Sequence, residues 1–270
     1  MNTELIKRHL DHMETPSYFY DMELLHKTLS TINEIKKSTG FHVHYALKAN
    51  SNDRILRTIS NYGFGADCVS GNEILKALET GFPREGIAFA GVGKTDWEID
   101  LGLDHDIGFF NCESITEIEV INERASMKNK KARIALRINP EINAKTHHYI
   151  TTGIEENKFG INREDLPRVV ETCKNLHHIQ LKGIHVHIGS QITDMDVFKS
   201  LCLRMNEIQD FFRREHIQLT DINAGGGLGL NYEHPENQTV PDFETYFNIF
   251  REFLNIQPEQ QLHFELGRSV

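Results

Sequence analysis

A lysine in the stretch HYALKAN, residues 44–50, is the first candidate for covalent chemistry in this sequence. Alternation places Lys48 on the same face of a short strand as His44, with its amine at a loop mouth. A lysine in a dry pocket has a lowered pKa, and its neutral amine can form a Schiff base with a carbonyl compound. The alternative is a solvated lysine at the end of a strand.

A run of glycines, Gly225–Gly227 followed by Gly229, is a candidate phosphate site. Glycine lets backbone N–H groups approach an anion closely, and Arg268 and Ser190 add a guanidinium fork and a hydroxyl. The run is not a dinucleotide-binding fingerprint, because Leu230 stands where that motif needs its last glycine. A flexible tight turn is the alternative interpretation.

Two HxH pairs, His42 with His44 and His185 with His187, have a spacing that can ligate a metal. A metal-dependent barrel hydrolase is therefore a competing class of protein. Against it, His42 and His44 lie at the start of their strand, and the Arg268 cation would oppose a metal near the last strand. We expect no metal.

Lys94 and Glu265 are two further residues that could take part in chemistry. The stretch 91–95, GVGKT, resembles the tail of a P-loop, but Ala88 stands where that motif needs glycine, so we expect Lys94 at a helix start. Glu265 faces the barrel interior if Phe264 packs outward. A buried carboxylate is costly unless paired, and opposite a heterocyclic nitrogen it would keep that nitrogen protonated.

Strand-like and helix-like stretches alternate along the chain, which predicts an α/β fold with a parallel sheet. Eight such units favour a closed (β/α)8 TIM-type barrel over a doubly wound open sheet. The first predicted strand ends near Lys48, and the other seven are 65–69, 87–90, 107–111, 132–139, 181–188, 221–224 and 262–265. A further short strand is predicted over 18–21. The predicted helices are 4–13, 22–38, 71–79, 114–125, 165–175, 196–215 and 242–255, and 140–158 is a long loop.

Composition excludes several classes of partner. A net charge of −10 and a pI near 5.8 argue against nucleic acid and anionic membranes, and no apolar run is long enough to span a bilayer. The four cysteines are widely spaced and the start lacks a signal peptide. These features predict reduced thiols in a cytoplasmic protein.

Six motifs taken together resemble one known family, the alanine-racemase-like (fold type III) pyridoxal phosphate-dependent decarboxylases. They span nearly the whole chain in the family's order. The motifs are YALKAN (45–50), GADCVSGNE (65–73), KFGI (158–161), GIHVHIGSQ (183–191), GGGLG (225–229) and ELGR (265–268).

The resemblance implies pyridoxal 5'-phosphate as cofactor and a role for each matched site residue. Lys48 would form the Schiff base, His187 would stack on the ring, and Glu265 would pair with the pyridinium nitrogen, which makes these three the expected catalytic residues. Arg268 would also meet a substrate carboxylate. The remaining cofactor-binding residues would be Ser190, Gly225, Gly226, Gly227 and Arg268 at the phosphate, Asp67 and Arg137 near the imine, and Gly267.

The implied activity is decarboxylation of an amino acid in a homodimeric enzyme. HIGSQ and GGGLG favour meso-diaminopimelate, converted to L-lysine and CO2, over an ornithine- or arginine-type substrate. A non-catalytic pyridoxal phosphate-binding barrel is the alternative from another class, and KFGI and ELGR argue against it.

Two departures from the family pattern lead to further expectations. Leu266 replaces the usual proline of the last motif, and the sequence ends two residues after Arg268, where family members continue into a C-terminal β-domain. We therefore expect a fragment without the β-domain, with residues 1–21 as a lead-in segment and 22–270 as the barrel. Without a helix after strand eight, apolar surface on strands one and eight should face water.

Overall fold

Eight parallel strands form a closed barrel in the computed structural model, which describes residues 7, 13, 14, 16–142 and 159–270. Each strand pairs with the next along the chain, and the last closes on the first, so the predicted barrel is confirmed and the open sheet is wrong. The strands are β1 (His42–Ala46), β2 (Gly65–Cys68), β3 (Ile87–Phe89), β4 (Phe109–Cys112), β5 (Ala132–Arg137), β6 (Ile179–His185), β7 (Asp221–Asn223) and β8 (Gln261–Leu266).

Helices alternate with these strands and cover the outside of the barrel. Side chains of Asp21, Ser70 and Ser114 accept hydrogen bonds from the first turns of three of them, as helix N-caps do. The helices are α1 (Met22–Thr39), α2 (Asp53–Asn61), α3 (Gly71–Glu79), α4 (Asp96–Asp104), α5 (Ile115–Met127), α6 (Leu166–Asn175), α7 (Met195–Arg214) and α8 (Phe243–Phe253). Sequence analysis did not specify α2 and α4. None of the helices described is long and apolar enough to cross a membrane.

Two predicted strand positions are wrong. β1 ends at Ala46 because its ladders with β2 and β8 stop there, and Lys48 lies in a 3-10 turn, Leu47–Ala49, directly beyond. Residues 18–21 form no strand, and Asp21 instead caps α1. Most of the predicted helix 4–13 and of the loop 140–158 falls outside the described residues, and the boundary between residues 21 and 22 stays a prediction.

The outer faces of β1 and β8 are buried, so the expected exposed apolar surface is also wrong. Phe264 is fully buried, with its ring centroid 4.8 Å from those of Phe247 and Phe250 on α8 and 5.4 Å from that of Phe41. α1, which precedes β1, contacts α8. These two helices together cover the outer faces of β1 and β8, where a helix after β8 was expected to be needed.

The barrel interior is polar. Barrels of this kind are typically filled by branched aliphatic side chains, whereas here seven of the eight strands contribute a buried polar residue. They are His44, Asp67, Asn111, Arg137, His185, Asn223 and Glu265, with His263 as a second one from β8. Buried polar groups are costly without partners, so this interior favours ligand chemistry over packing alone.

Candidate active site

A cavity of about 1020 Å³ lies at the carboxyl ends of the strands. It brings together nine of the eleven predicted site residues. These are Lys48, Asp67, Arg137, His187, Ser190, Gly227, Glu265, Gly267 and Arg268. Gly225 and Gly226 do not line the cavity, although they belong to the same loop as Gly227.

Lys48 lies at the mouth of this cavity rather than in a dry pocket. Its side chain is 58% exposed, and its Nζ is 3.8 Å from Oδ2 of Asp67. The 3-10 turn places the side chain beyond the barrel rim, which a continued strand would not have done. The expectation of a desolvated lysine is therefore wrong for this structure.

Asp67 is a buried carboxyl whose Oδ1 has no hydrogen-bond partner among the residues that the structure describes. Burial and the negative charge of Glu265 raise the pKa of Asp67 to about 8, against the opposing effect of Lys48. Of these two acidic side chains, Asp67 therefore holds a proton at neutral pH and Glu265 does not.

Glu265 makes three hydrogen bonds in the cavity wall. Its Oε1 accepts hydrogen bonds from Nδ2 of Asn223 at 2.8 Å and of Asn111 at 3.3 Å, and its Oε2 lies 2.9 Å from Nε2 of His185. Burial alone would raise the pKa of Glu265, but the charge and hydrogen bond of His185 outweigh it and hold that pKa well below the ordinary range. The carboxylate therefore stays ionised.

Sequence analysis did not assign roles to Asn111, His185 or Asn223. The available signal was a polar residue on the inward face of three different strands, β4, β6 and β7. Alternation identifies such residues but does not show that they converge on one carboxylate.

The glycine loop after β7 has room for glycine alone. Gly225 and Gly227 have φ angles of 66° and 107°, which favour glycine. A Cβ at Gly226 would collide with the backbone oxygen of Glu265, and one at Gly227 would lie 2.7 Å from the carbonyl oxygen of Gly189. The loop therefore packs against neighbouring backbone too closely for a side chain at Gly226 or Gly227.

His187 presents a neutral ring to the cavity. Burial lowers the pKa of His187 to about 3, and the charge of Glu265 only partly offsets this. The N–H of Gly226 donates to Nδ1 of His187 at 3.4 Å, so the ring proton lies on Nε2.

Arg268 and Ser190 lie together beside the glycine loop. Nε of Arg268 donates to Oγ of Ser190 at 3.3 Å, and its Nη1 donates to the hydroxyl of Tyr232 at 2.7 Å. The guanidinium also lies 5.8 Å from the centre of the Tyr232 ring. Tyr232 lines the cavity and was not found by sequence analysis.

Arg137 contacts Glu113, which belongs to none of the six motifs, and Phe159 of the KFGI motif. Its Nη1 donates to Oε1 of Glu113 at 2.8 Å, and its guanidinium carbon is 5.5 Å from the centre of the Phe159 ring. Both neighbours line the cavity.

Lys94 is a structural lysine and not part of a phosphate loop. Its side chain is 1% exposed, and Nζ donates to Oε1 of Glu117 at 2.6 Å and to the carbonyl oxygens of Gly91 and Asn111 at 2.8 Å. These bonds join the ends of β3 and β4. Within the described part of the chain, no group of three or more His, Cys, Asp or Glu residues could hold a metal ion.

The cavity fits pyridoxal phosphate at each of its functional groups. The amine of Lys48 is accessible to an aldehyde, and the ionised Glu265 suits a protonated ring nitrogen. Arg268 and Ser190 lie together beside the bare backbone of Gly227 and suit a phosphate. The neutral imidazole of His187 offers a flat face to the ring. Fold and site together define a pyridoxal phosphate-binding barrel.

Comparison with known proteins gives the family. The family described as "Pyridoxal-dependent decarboxylase, pyridoxal binding domain" matches residues 25–270. The chain belongs to this family, which confirms the resemblance found in the sequence, and pyridoxal phosphate is the cofactor of the domain.

Relatives and solved structures agree with this assignment. The chain is 52% identical to diaminopimelate decarboxylase of Bacteroides thetaiotaomicron, over 96% of this chain and 67% of that protein. It is 33% identical to the Aquifex aeolicus enzyme of the same name, over 95% of this chain and 60% of that protein. The crystal structure of diaminopimelate decarboxylase from Helicobacter pylori with L-lysine superimposes with a TM-score of 0.86 at 34% identity, covering 98% of this chain and 66% of that chain.

Proposed function

We propose that this protein decarboxylates meso-2,6-diaminopimelate to L-lysine and CO2, as a pyridoxal phosphate-dependent carboxy-lyase of lysine biosynthesis. The observation that carries the proposal is the ionised Glu265, held by three donors in the cavity wall. Similarity to enzymes named diaminopimelate decarboxylase supports the choice of substrate. The chain spans 60% to 67% of the length of those two relatives.

The residues of the cavity have distinct tasks in this proposal. When bound, pyridoxal phosphate supplies an electron sink for the pair released as CO2 leaves. Lys48 would hold the cofactor's aldehyde carbon through Nζ, with the aldehyde oxygen leaving as water, His187 would orient the ring, and Glu265 would hold the proton on the ring nitrogen. Asp67 holds a proton beside Lys48, and Arg137 fixes the wall next to it.

The phosphate is assigned to the loop after β7 and its neighbours. The backbone N–H of Gly227, the hydroxyl of Ser190 and the backbone of Gly267 would bind it, because all three residues line the cavity. The N–H groups of Gly225 and Gly226 already donate to Asn223 and His187 and would hold the loop in place. Arg268 would bind phosphate and would also meet the substrate carboxylate, since its guanidinium has donors for both.

Two alternative functions, decarboxylation of ornithine or arginine and cofactor binding without catalysis, can be distinguished from the proposed one by measuring CO2 release. An arginine decarboxylase from Paramecium bursaria Chlorella virus has a TM-score of 0.81 at 20% identity, which shows a common fold and nothing about substrate. A barrel that only carries the cofactor has no need of an anion opposite the ring nitrogen, so the bonding of Glu265 favours an enzyme.

The test is CO2 release by the native protein, purified from its source and supplied with pyridoxal phosphate. Meso-diaminopimelate, ornithine and arginine are compared as substrates. We expect release from meso-diaminopimelate with L-lysine as product. Release from ornithine or arginine alone, or binding of the cofactor without release from any of them, would replace the proposal by the corresponding alternative.

We also propose that the native protein is a cytoplasmic homodimer that binds no nucleic acid. Three of its four free thiols, Cys68, Cys112 and Cys202, are buried, which suits a reducing compartment. Exposed Val92 and Tyr232 at the cavity mouth give an apolar surface that a second subunit can cover. Sedimentation of the native protein tests the dimer, and a monomer at micromolar concentration would contradict it.

A further inference from the structure

The two oxygens of the Glu265 carboxylate are bonded unequally. Oε1 accepts hydrogen bonds from two amides, those of Asn111 and Asn223. Within the described part of the chain, Oε2 makes a single hydrogen bond, with His185. Glu265 is 7% exposed and His185 is 2% exposed, so little water can replace this donor. The state of Oε2 therefore depends on one imidazole.

The hydrogen bond also fixes the tautomer of His185. A carboxylate only accepts, so the proton must lie on Nε2 of His185. Nδ1 of the same ring is buried and has no hydrogen-bond partner among the described residues. Nε2 is therefore the ring nitrogen through which His185 acts, with its N–H directed at Glu265.

The amides of Asn111 and Asn223 cannot take over this task. Oδ1 of Asn223 accepts from the N–H of Gly225 at 2.9 Å, which fixes the amide so that its Nδ2 serves Oε1. Asn111 reaches the same oxygen at 3.3 Å. Without His185, Oε2 would be buried with no donor, and burial favours the protonated form of a carboxyl.

We propose that His185 is a positioning residue whose Nε2–H fixes Oε2 of Glu265 and keeps this carboxyl ionised before any cofactor binds. His185 acts through Glu265 and not on the substrate. This proposal rests on the proposed function for its catalytic consequence, because a protonated Glu265 could not hold a proton on the ring nitrogen. Its structural part concerns the cofactor-free chain alone.

The first test compares two substitutions in the 270-residue chain without cofactor. His185→Phe keeps a flat ring and removes the donor, whereas His185→Gln keeps an amide donor. The side-chain carboxyl carbon of Glu265 is followed by 13C NMR between pH 5 and pH 9, with Glu265→Gln to assign the signal. We expect no titration in the wild type, titration within this range in His185→Phe, and near wild-type behaviour in His185→Gln.

The result that overturns the proposal is a Glu265 carboxyl that stays ionised throughout in His185→Phe. If that variant does not fold, the 15N chemical shifts of the histidine rings in the wild type provide the test, because they show which ring nitrogens are protonated. His185 must show a proton on Nε2. His178 is the internal control for a ring that donates from Nδ1, because its Nδ1 lies 3.0 Å from the carbonyl oxygen of Lys130 and must donate. A His185 ring without a proton on Nε2 refutes the proposal.

Activity gives a separate readout in the native protein. We expect His185→Phe to lower kcat about a hundredfold with KM changed little, the cost typical of removing one preorganised electrostatic contact, and His185→Gln to restore most of it. A wild type without decarboxylase activity would contradict the proposed function and leave the NMR result to decide the role of His185. An active wild type with an equally active His185→Phe would contradict the positioning role alone.

Discussion

His44 and His263 face each other inside the barrel, with Nε2 of His44 3.0 Å from Nδ1 of His263. The outer nitrogens of the pair meet two acceptors, the carbonyl oxygen of Gly86 at 2.9 Å and Oδ1 of Asp221 at 3.1 Å. These contacts connect β1 and β8 through the barrel interior. Burial, and after it the neighbouring His263, lower the pKa of His44 to about 3.

Stability should depend on pH in a way set by three buried groups. The pKa of His44 and that of His187 are lowered from 6.5 to about 3 by burial, whereas burial raises the pKa of Asp67 from 3.8 to about 8. Between 3.8 and 6.5 the unfolded chain binds two histidine protons that the folded chain lacks, and the folded chain binds one carboxyl proton. The free energy of unfolding therefore rises with pH there and falls between 6.5 and 8.

Urea unfolding across this pH range gives the measurement, with a maximum expected near pH 6.5. Asp67→Asn is the matched variant, because it removes the group responsible for the decline above the maximum. A wild-type stability that keeps rising to pH 8, or a decline that persists unchanged in Asp67→Asn, would contradict this assignment.

Gly65→Ala should weaken the fold through the histidine pair. A Cβ at Gly65 would lie 2.5 Å from the carbonyl oxygen of Gly86 and would also collide with Nδ1 of His44. Because His44 donates to that oxygen, we expect a loss of about 1–3 kcal/mol in the free energy of unfolding. Gly93→Ala is the control, since nothing lies within 4 Å of its added Cβ. Equal stability of the two variants would be evidence against the collision.

Glu265→Gln should separate turnover from cofactor binding. The charge on the ring nitrogen matters most as negative charge develops during CO2 loss, so kcat is expected to fall by about two to three orders of magnitude. Affinity for pyridoxal phosphate, measured by fluorescence titration, should change only a few-fold. Turnover at the wild-type rate in this variant would contradict the role given to Glu265.

Alternation and motif order were sufficient to predict the barrel and nine of the residues that line the cavity. Glu265 was placed inward because Phe264 alternates with it, and the structure buries Phe264 among the rings of α8. The partners of Glu265 could not be predicted, because His185 is 80 residues away and Asn111 is 154 residues away in sequence. Such contacts depend on strand register around a closed barrel, which local patterns do not fix.

The position of Lys48 and the covering of β8 show the same limit. Alternation continued the first strand through Lys48, but the hydrogen-bonded ladders end at Ala46 and the chain turns. The order of elements suggested an uncovered last strand. In a closed barrel, however, the helix that precedes β1 lies next to β8.

Covalent trapping tests the central claim, that Lys48 is the lysine that binds pyridoxal phosphate. The protein is incubated with the cofactor, reduced with borohydride, digested and analysed by mass spectrometry, beside Lys48→Ala. The account predicts a reduced phosphopyridoxyl group on the peptide containing Lys48 in the wild type and no equivalent label in Lys48→Ala. A label on Lys94, which is bonded to Glu117 in the interior, or on any other lysine in the wild type would contradict it.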